Sequence, residues 1–156
     1  MDAYTIVKTV HIVSGVILFG TGLGAAFFFL AAHRSSDLAT RRFAARTSVR
    51  VHALFGLPAL VVQPLSGIFL VEHAADHPFE LWLSASYCAF LLACLCWTGA
   101  AYVQLRMARM LEAQANGHEL DAHLYRKLLN LWFLLGWPAF LIFLLIFWLM
   151  VAEPAW

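Results

Sequence analysis

One histidine, His11, lies inside a long uncharged stretch near the start of the chain. Polar groups are costly inside a bilayer and usually functional there. A neutral imidazole is tolerated in such a place, and its nitrogen can bind haem iron. The alternative is a structural histidine, hydrogen-bonded to a carbonyl group or to Gln63 within a helix bundle. Residue chemistry alone leaves both interpretations open.

Small residues recur on the helical face that carries His11. Gly15 and Gly22 share this face, and Gln63 lies on a similar small-residue face of the second apolar stretch. Such faces admit a flat cofactor, or they let two helix backbones pack closely without any ligand. Trp82 and Tyr87, in the third apolar stretch, are candidates for the wall of a cofactor pocket.

A haem or metal at His11 needs further ligands at the same depth in the membrane. His73, just after the second stretch, and Met150, near the end of the fourth, are the candidates. We expect His52 at the opposite membrane face, roughly 25–30 Å from His11 along the membrane normal at about 1.5 Å per residue. There it could join His33 in holding a second haem or a metal.

Four stretches without formal charge are long enough to cross a bilayer, which takes roughly 20 helical residues. We therefore predict an all-α protein, a single domain over residues 1–156 with four transmembrane helices in an up-and-down bundle. A short interfacial helix over Arg41–Val51 is expected to lead into the second span. The predicted spans are Thr9–Ala32, Ala53–Val71, Leu81–Val103 and Leu128–Ala152.

Positive charge is concentrated in two segments between these spans. Of ten Lys and Arg residues, five lie between Arg34 and Arg50 and four between Arg106 and Lys127. Basic loops stay in the cytoplasm, so both termini are expected outside, in a bacterial inner membrane. The segment Glu72–Glu80 carries acidic residues without Lys or Arg and should face outward. The lipid bilayer is the expected partner, and no nucleic acid is expected.

Several motifs carry a resemblance to known families: 19–28 (FGTGLGAAFF), 63–67 (QPLSG), 135–140 (LGWPAF) and 147–150 (FWLM). On these the chain resembles a family of small bacterial integral membrane proteins of unknown function. More distantly it is similar to HemJ-type protoporphyrinogen oxidases, which are four-span haem-binding proteins. That likeness rests on Lys8-x-x-His11-Ile12, His33, the Pro58–Val61 segment, Gly67, Trp82-Leu83, Tyr125-Arg126, Pro138 and Glu153-Pro154.

The chain also departs from the HemJ-type pattern. Ser86 stands where those oxidases carry a lysine in the third span, and Trp137 replaces an acidic residue before the proline of the fourth. An arginine of their first span is missing from the run Phe27–Phe29. The resemblance therefore implies haem at His11 without implying protoporphyrinogen oxidase activity.

Together these features predict a membrane protein that binds haem b and takes part in electron transfer. Its expected redox partner is a quinone or another membrane protein. A homodimer is one possible oligomeric state. Two alternatives remain. The chain could be a non-redox accessory or assembly subunit of a membrane complex. It could also handle copper through His11, Met150 and Cys88.

The charge pattern makes a direct prediction about topology. An alkaline phosphatase fused after Trp156 should be active, because that enzyme folds only outside the cytoplasm and the basic segments hold the opposite ends of the helices inside. A reporter that works only in the cytoplasm should be active when it is inserted in the segment Arg34–Arg50. An inactive phosphatase fusion at the C-terminus would contradict this orientation.

Overall fold

The computed structural model describes residues 2–73 and 81–154, and these residues are almost entirely helical. Four helices are long and apolar enough to cross a membrane, which confirms the predicted all-α, four-span architecture. The predicted outer loop falls mostly on residues 74–80, outside the described residues. The elements are α1 (Ala3–His33), α2 (Leu38–Val51), a π-helix (His52–Gly56), α3 (Leu57–His73), α4 (Leu81–Ala115) and α5 (Ala122–Ala152).

Aspartate side chains cap the helices that follow short connections. Asp37 accepts hydrogen bonds from the backbone N–H groups of Ala39 and Thr40 at the start of α2. Asp121 accepts from Leu124 at the start of α5, over a distance of 2.9 Å. Each carboxylate satisfies N–H groups that have no partner within the helix and favours the positive end of the helix dipole. These caps fix where the chain turns back toward the membrane.

The helix that contains the predicted second span is longer than that span. α2, the π-helix and α3 run on without a break from Leu38 to His73, a helix of 36 residues. The short helix expected over Arg41–Val51 corresponds to α2 (Leu38–Val51), which continues directly into the predicted second span. Its interfacial position stays a prediction. In the sequence its arginines distinguish this segment from the apolar stretch that follows. One of them, Arg42, forms a salt bridge with Glu112 of α4 at 2.6 Å.

The register between α1 and this long helix places His52 in the middle of the structure. The two helices are antiparallel, since Ser48 donates to the Ala25 carbonyl at 3.4 Å and Ser66 contacts His11 at 2.9 Å. His52, one helical turn beyond Ser48, lies near the level of Gly22. His52 is therefore closer to His11 along the membrane normal than the roughly 25–30 Å that the sequence suggested. Along α1 it is only about 16 Å from His11.

Buried apolar side chains form two clusters at different depths. One lies toward the basic ends of the helices and includes Phe29, Met107 and Trp132. The other lies nearer the middle and includes Leu18 and Phe143. α1 packs mainly on α2 and α3, whereas α4 packs along the length of α5. This pairing leaves a gap between α1 and α5, and the cavity described below lies there.

Candidate functional site

His11 is held in a network of hydrogen bonds that involves both of its ring nitrogens. Its Nδ1 is 2.9 Å from Ser66 Oγ, and its Nε2 is 3.3 Å from the Gln63 side-chain nitrogen. Ser14 donates to the side-chain oxygen of Gln63 and to the His11 carbonyl. The structure therefore contains the hydrogen bond between His11 and Gln63 that the structural interpretation of His11 expected.

The partners assign a direction to each hydrogen bond in this network. The Ser66 hydroxyl donates to the Val62 carbonyl at 2.6 Å, so its oxygen accepts from His11. The Gln63 amide nitrogen donates to the other ring nitrogen, because an amide NH₂ has no acceptor capacity. His11 is then neutral, with its proton on Nδ1, an assignment made from the partners. Every polar atom of the ring has a partner, as the interior of a membrane requires.

These residues do not fit haem at His11 in this arrangement. An Nδ1–H group that donates to an oxygen is the usual orientation of a metal-binding imidazole. The Nε2 lone pair, however, faces the Gln63 amide, which occupies the position that iron would need. A Cβ atom placed on Gly15 would lie 3.2 Å from the Gln63 side-chain nitrogen. The absence of a side chain at Gly15 therefore allows Gln63 to lie close to α1.

The other predicted ligands of His11 lie apart from its ring nitrogens. His73, seven residues after Ser66, is exposed, and its Nδ1 donates to the Phe69 carbonyl at 2.8 Å. Met150 is exposed on α5. In residues 2–73 and 81–154 no group of three or more His, Cys, Asp or Glu side chains could hold a metal ion. His73 and Met150 stay predictions as ligands.

The predicted pocket walls divide between two places. The Tyr87 hydroxyl is near the His11 network, since a Cβ atom on Gly67 would lie 3.8 Å from it and 3.4 Å from the His11 ring. Trp82 lies one turn earlier on α4, where its carbonyl accepts from the Ser86 hydroxyl at 2.8 Å. Gly22, by contrast, lines a separate cavity deeper in the bundle.

This cavity, which we call the central cavity, has a volume of about 290 Å³ and lies between α1, α4, α5 and the π-helix. It is bounded by both apolar clusters, with Leu18 and Phe143 on one side and Trp132 on the other. Its walls combine aromatic rings with small residues. They include Phe19, Trp97, Phe133, Trp137 and Phe140 together with Gly22, Ala26, Ala100, Ala101, Gly136 and Ala139.

Two polar side chains line the central cavity, and each has a buried nitrogen without a partner. Gln104, only 1% exposed, has no hydrogen-bond partner for its amide nitrogen among the described residues. His52 likewise has no partner there for Nδ1. An unsatisfied buried donor or acceptor costs about 1–3 kcal/mol. Three other buried side-chain atoms of the described residues, on His33, Arg41 and Gln114, also lack a partner, and these residues do not line the cavity.

The π-helix brings His52 to the cavity. The Leu57 N–H bonds to the His52 carbonyl, five residues back instead of four. Pro58 follows directly and has no N–H to offer the Leu54 carbonyl, which disfavours ordinary α-helical pairing at this point. Single π turns within α-helices occur frequently at functional sites. Here the turn begins at the histidine that faces Trp97, with the ring centroids 5.6 Å apart and the rings nearly perpendicular.

The central cavity opens sideways, between α1 and α5. Leu23 and Phe27 on α1 and Trp137 on α5 line it and are themselves exposed on the outer surface of the bundle. In a bilayer this surface faces lipid, because the exposed side chains along both helices are apolar. A molecule dissolved in the hydrocarbon therefore reaches the cavity without crossing a polar region.

His33 and His52 do not form the paired site that the sequence suggested. His33 stacks on Tyr125, with a centroid distance of 5.6 Å, and the Arg41 guanidinium covers the same tyrosine ring at 5.2 Å. Arg41 precedes His52 by eleven residues of continuous helix, which is about 16 Å. The two histidines therefore belong to different levels of the bundle.

Sequence reasoning missed Gln104 altogether. It directly follows the predicted third span, which ended at Val103, and Arg106 made the segment read as a loop. α4 in fact continues to Ala115 and keeps Gln104 buried. The available signal was its helical spacing from Trp97 and Ala100, which places the amide on the apolar face.

Comparison with known proteins supports the membrane assignment. The chain matches the family described as "Predicted integral membrane protein (DUF2269)" over residues 5–154, nearly its whole length. It matches no curated protein and no solved structure. The chain belongs to the DUF2269 family, whose description specifies membrane insertion and no activity.

The His11 network predicts the effect of removing its central amide. Gln63→Leu should lower the free energy of unfolding by about 1–3 kcal/mol, because it leaves His11 Nε2 without its partner and takes an acceptor from Ser14. Thermal unfolding of the purified protein in detergent measures this change. Thr98→Val is the control, since that hydroxyl is exposed and bonds only within its own helix. Equal melting temperatures for the two variants would contradict a stabilising network.

Proposed function

We propose that this DUF2269 protein binds a flat, apolar ligand of the lipid phase in its central cavity. The observation that carries the proposal is a cavity with apolar, largely aromatic walls that is also lined by two polar residues, His52 and Gln104. Ligand sites are typically of this kind, with apolar and aromatic walls and a few placed polar groups. A volume of about 290 Å³ suits a ring system, with any tail left outside in the lipid.

The shape of the walls favours a planar molecule. Phe19 stacks on Phe140 with centroids 5.2 Å apart, and Trp137 meets Phe140 edge-on at 6.0 Å. Flat aromatic faces bind other rings by stacking and by edge contacts. Gly22 and Gly136 also line the cavity, and neither has an atom within 4 Å of the position that its Cβ would take. The glycines therefore leave space on the cavity side instead of allowing close helix packing.

The lateral opening sets the route by which the ligand arrives. The rim side chains Leu23, Phe27 and Trp137 are apolar or amphipathic and exposed toward lipid. A ligand with a hydrocarbon tail could place its ring in the cavity while the tail stays among the acyl chains. A charged, water-soluble ligand has no such route, because the apolar rim would displace its bound water without offering hydrogen bonds or charges in exchange.

Filling the cavity should abolish binding of a flat apolar probe. We expect Gly22→Leu to prevent binding of 9-decylanthracene, because the new side chain occupies the space between α1 and the cavity wall. Gly24→Leu is the matched control: it lies two residues away on the same helix, also has no neighbour within 4 Å of its Cβ position, and does not line the cavity.

Energy transfer from tryptophan to anthracene measures this binding in detergent micelles, because Trp97, Trp132 and Trp137 all line the cavity. Wild type and Gly24→Leu should show saturable transfer, and Gly22→Leu should show only the background of probe dissolved in the micelle. Identical transfer in all three proteins would contradict binding in the central cavity.

Haem b at His11 is the second candidate function. It is favoured by the resemblance to HemJ-type oxidases and by the Nδ1–H group that Ser66 orients. Binding would require the Gln63 amide to turn away from Nε2 and open the space beside it. Haem would supply one-electron chemistry to the membrane, while His11, Ser66 and Tyr87 would position it. A redox role of this kind, in a bacterial inner membrane, stays a proposal.

An absorption spectrum tests this second candidate directly. If haem b binds at His11, protein purified after haem supplementation should show a Soret band that shifts on reduction. His11→Ala should abolish the band, and His73→Ala should abolish it only if His73 is the second ligand. Absence of a Soret band in the wild type would overturn the proposal, whereas a band that survives His11→Ala would move the ligand elsewhere.

A further inference from the structure

We infer that one face of α2 binds the headgroup of an anionic phospholipid. This surface is separate from the central cavity, because no residue lines both, and the inference does not depend on the proposed function. It begins from an open groove of about 330 Å³ along α2. The groove is lined by residues of this helix, three of them arginines: Ala39, Arg42, Phe43, Arg46, Thr47 and Arg50.

Helical spacing places the three arginines in one row. Arg42, Arg46 and Arg50 are four residues apart, so they follow one another along a single face of α2. The opposite face carries Ala45 and Ser48, which are buried against the rest of the bundle. Arg46 and Arg50 are both exposed. Their guanidinium groups are therefore accessible to a ligand that approaches from outside the bundle.

The protein neutralises only part of the charge on this face. Glu112 of α4 forms a salt bridge with Arg42 at 2.6 Å and lies 3.7 Å from Arg46. Within residues 2–73 and 81–154, Arg50 forms no ion pair. Three positive charges therefore share one carboxylate, and the excess is concentrated at Arg46 and Arg50. An anion is the ligand that complements this excess.

The position of these arginines along the helix favours a lipid headgroup over a small water-soluble anion. Residues 51–71 carry no formal charge, and at about 1.5 Å per residue they span roughly the 30 Å of a hydrocarbon core. Arg50 directly precedes this segment, and Arg46 lies one helical turn, about 6 Å, before it. The headgroup layer adds roughly 5–8 Å on each side of the core. Both guanidinium groups are therefore at the depth of lipid phosphates.

The residues that follow Arg50 provide a surface for the acyl chains of the same lipid. Leu54, one turn further along the helix, is 68% exposed, and its neighbour Phe55 is also exposed. A lipid with its phosphate at Arg50 can therefore lay its chains against these apolar side chains. Inorganic phosphate would make no use of them.

Arginine chemistry specifies the charge of the headgroup. A guanidinium presents paired N–H donors that match two phosphate oxygens, so it binds phosphate by geometry as well as by charge. A zwitterionic headgroup contains the same phosphate, but its own ammonium group offsets the negative charge. The excess positive charge at Arg46 and Arg50 therefore selects a phospholipid with a net negative charge, such as phosphatidylglycerol.

Competition between two lipids with identical acyl chains tests the inference. Native mass spectrometry of detergent-solubilised protein, with dioleoyl-phosphatidylglycerol and dioleoyl-phosphatidylcholine at equal concentration, gives the ratio of the two complexes. Two accessible arginines should favour the anionic lipid by about tenfold, which is about 1.4 kcal/mol. Because the chains and the phosphate are the same, the ratio isolates the contribution of net headgroup charge.

Variants assign this preference to the face of α2. Arg46→Gln combined with Arg50→Gln should reduce the ratio to near one, while the melting temperature stays close to that of wild type because both side chains are exposed. Arg109→Gln is the control for charge. Arg109 is exposed on α4, lies three residues before Glu112 and so at a similar depth, and does not line the groove. This variant should keep the preference of wild type.

Three outcomes would overturn the inference. The first is equal binding of the two lipids by wild type. The second is a preference that survives in the double variant, or that falls equally in Arg109→Gln, since charge on other surfaces would then explain it. The third is displacement of phosphatidylglycerol by an equal concentration of inorganic phosphate, which would identify a site for the free anion. Binding of 9-decylanthracene should be unchanged in all these variants, so the proposed function is tested separately.

Discussion

Polar groups inside a hydrocarbon layer need partners within the protein, and this requirement shapes the interior of the bundle. No water reaches the bilayer core to pair with an unsatisfied amide or imidazole. His11 meets the requirement through Gln63 and Ser66, which connect α1 to α3 near the N-terminal end of α1. Gln104 and His52 do not meet it from the described chain.

The depth of each histidine depends on how α1 lies against the long second helix. Contacts at Ala25 and at His11 fix the antiparallel register at two levels. The π-helix lies between these levels and inserts its extra residue into the pairing. His52 consequently faces the middle of the bundle, where the two apolar clusters leave space between α1 and α5. The His11 network and the central cavity are thus products of a single helix pairing.

Much of the architecture could be predicted from the sequence, because hydropathy and charge report directly on membrane crossing. The four apolar stretches all lie within the observed helices, and the alternative that paired His11 with Gln63 corresponds to an observed contact. The ends of the helices could not be predicted in this way. Arg42 and Arg50 suggested a separate segment, although a helix can extend beyond the bilayer without changing direction.

The candidate site was predicted only in part, for physical reasons. Gly22 was identified from its spacing with His11, yet it serves the cavity and not the His11 network. The error at His52 arose because the second helix was expected to begin there. The helix in fact begins fourteen residues earlier, at Leu38. A π turn is not visible in helical periodicity, since it changes the phase by one residue. The lack of a partner for Gln104 depends on all surrounding helices and needs coordinates.

The most direct measurement identifies what the protein carries from its own membrane. Protein purified in mild detergent can be extracted with organic solvent, and the extract quantified by mass spectrometry against the amount of protein. This account predicts a flat apolar molecule in near-equimolar amount in wild type and its loss in Gly22→Leu. An extract that contains phospholipid alone, in the same ratio for both proteins, would contradict a ligand site in the central cavity.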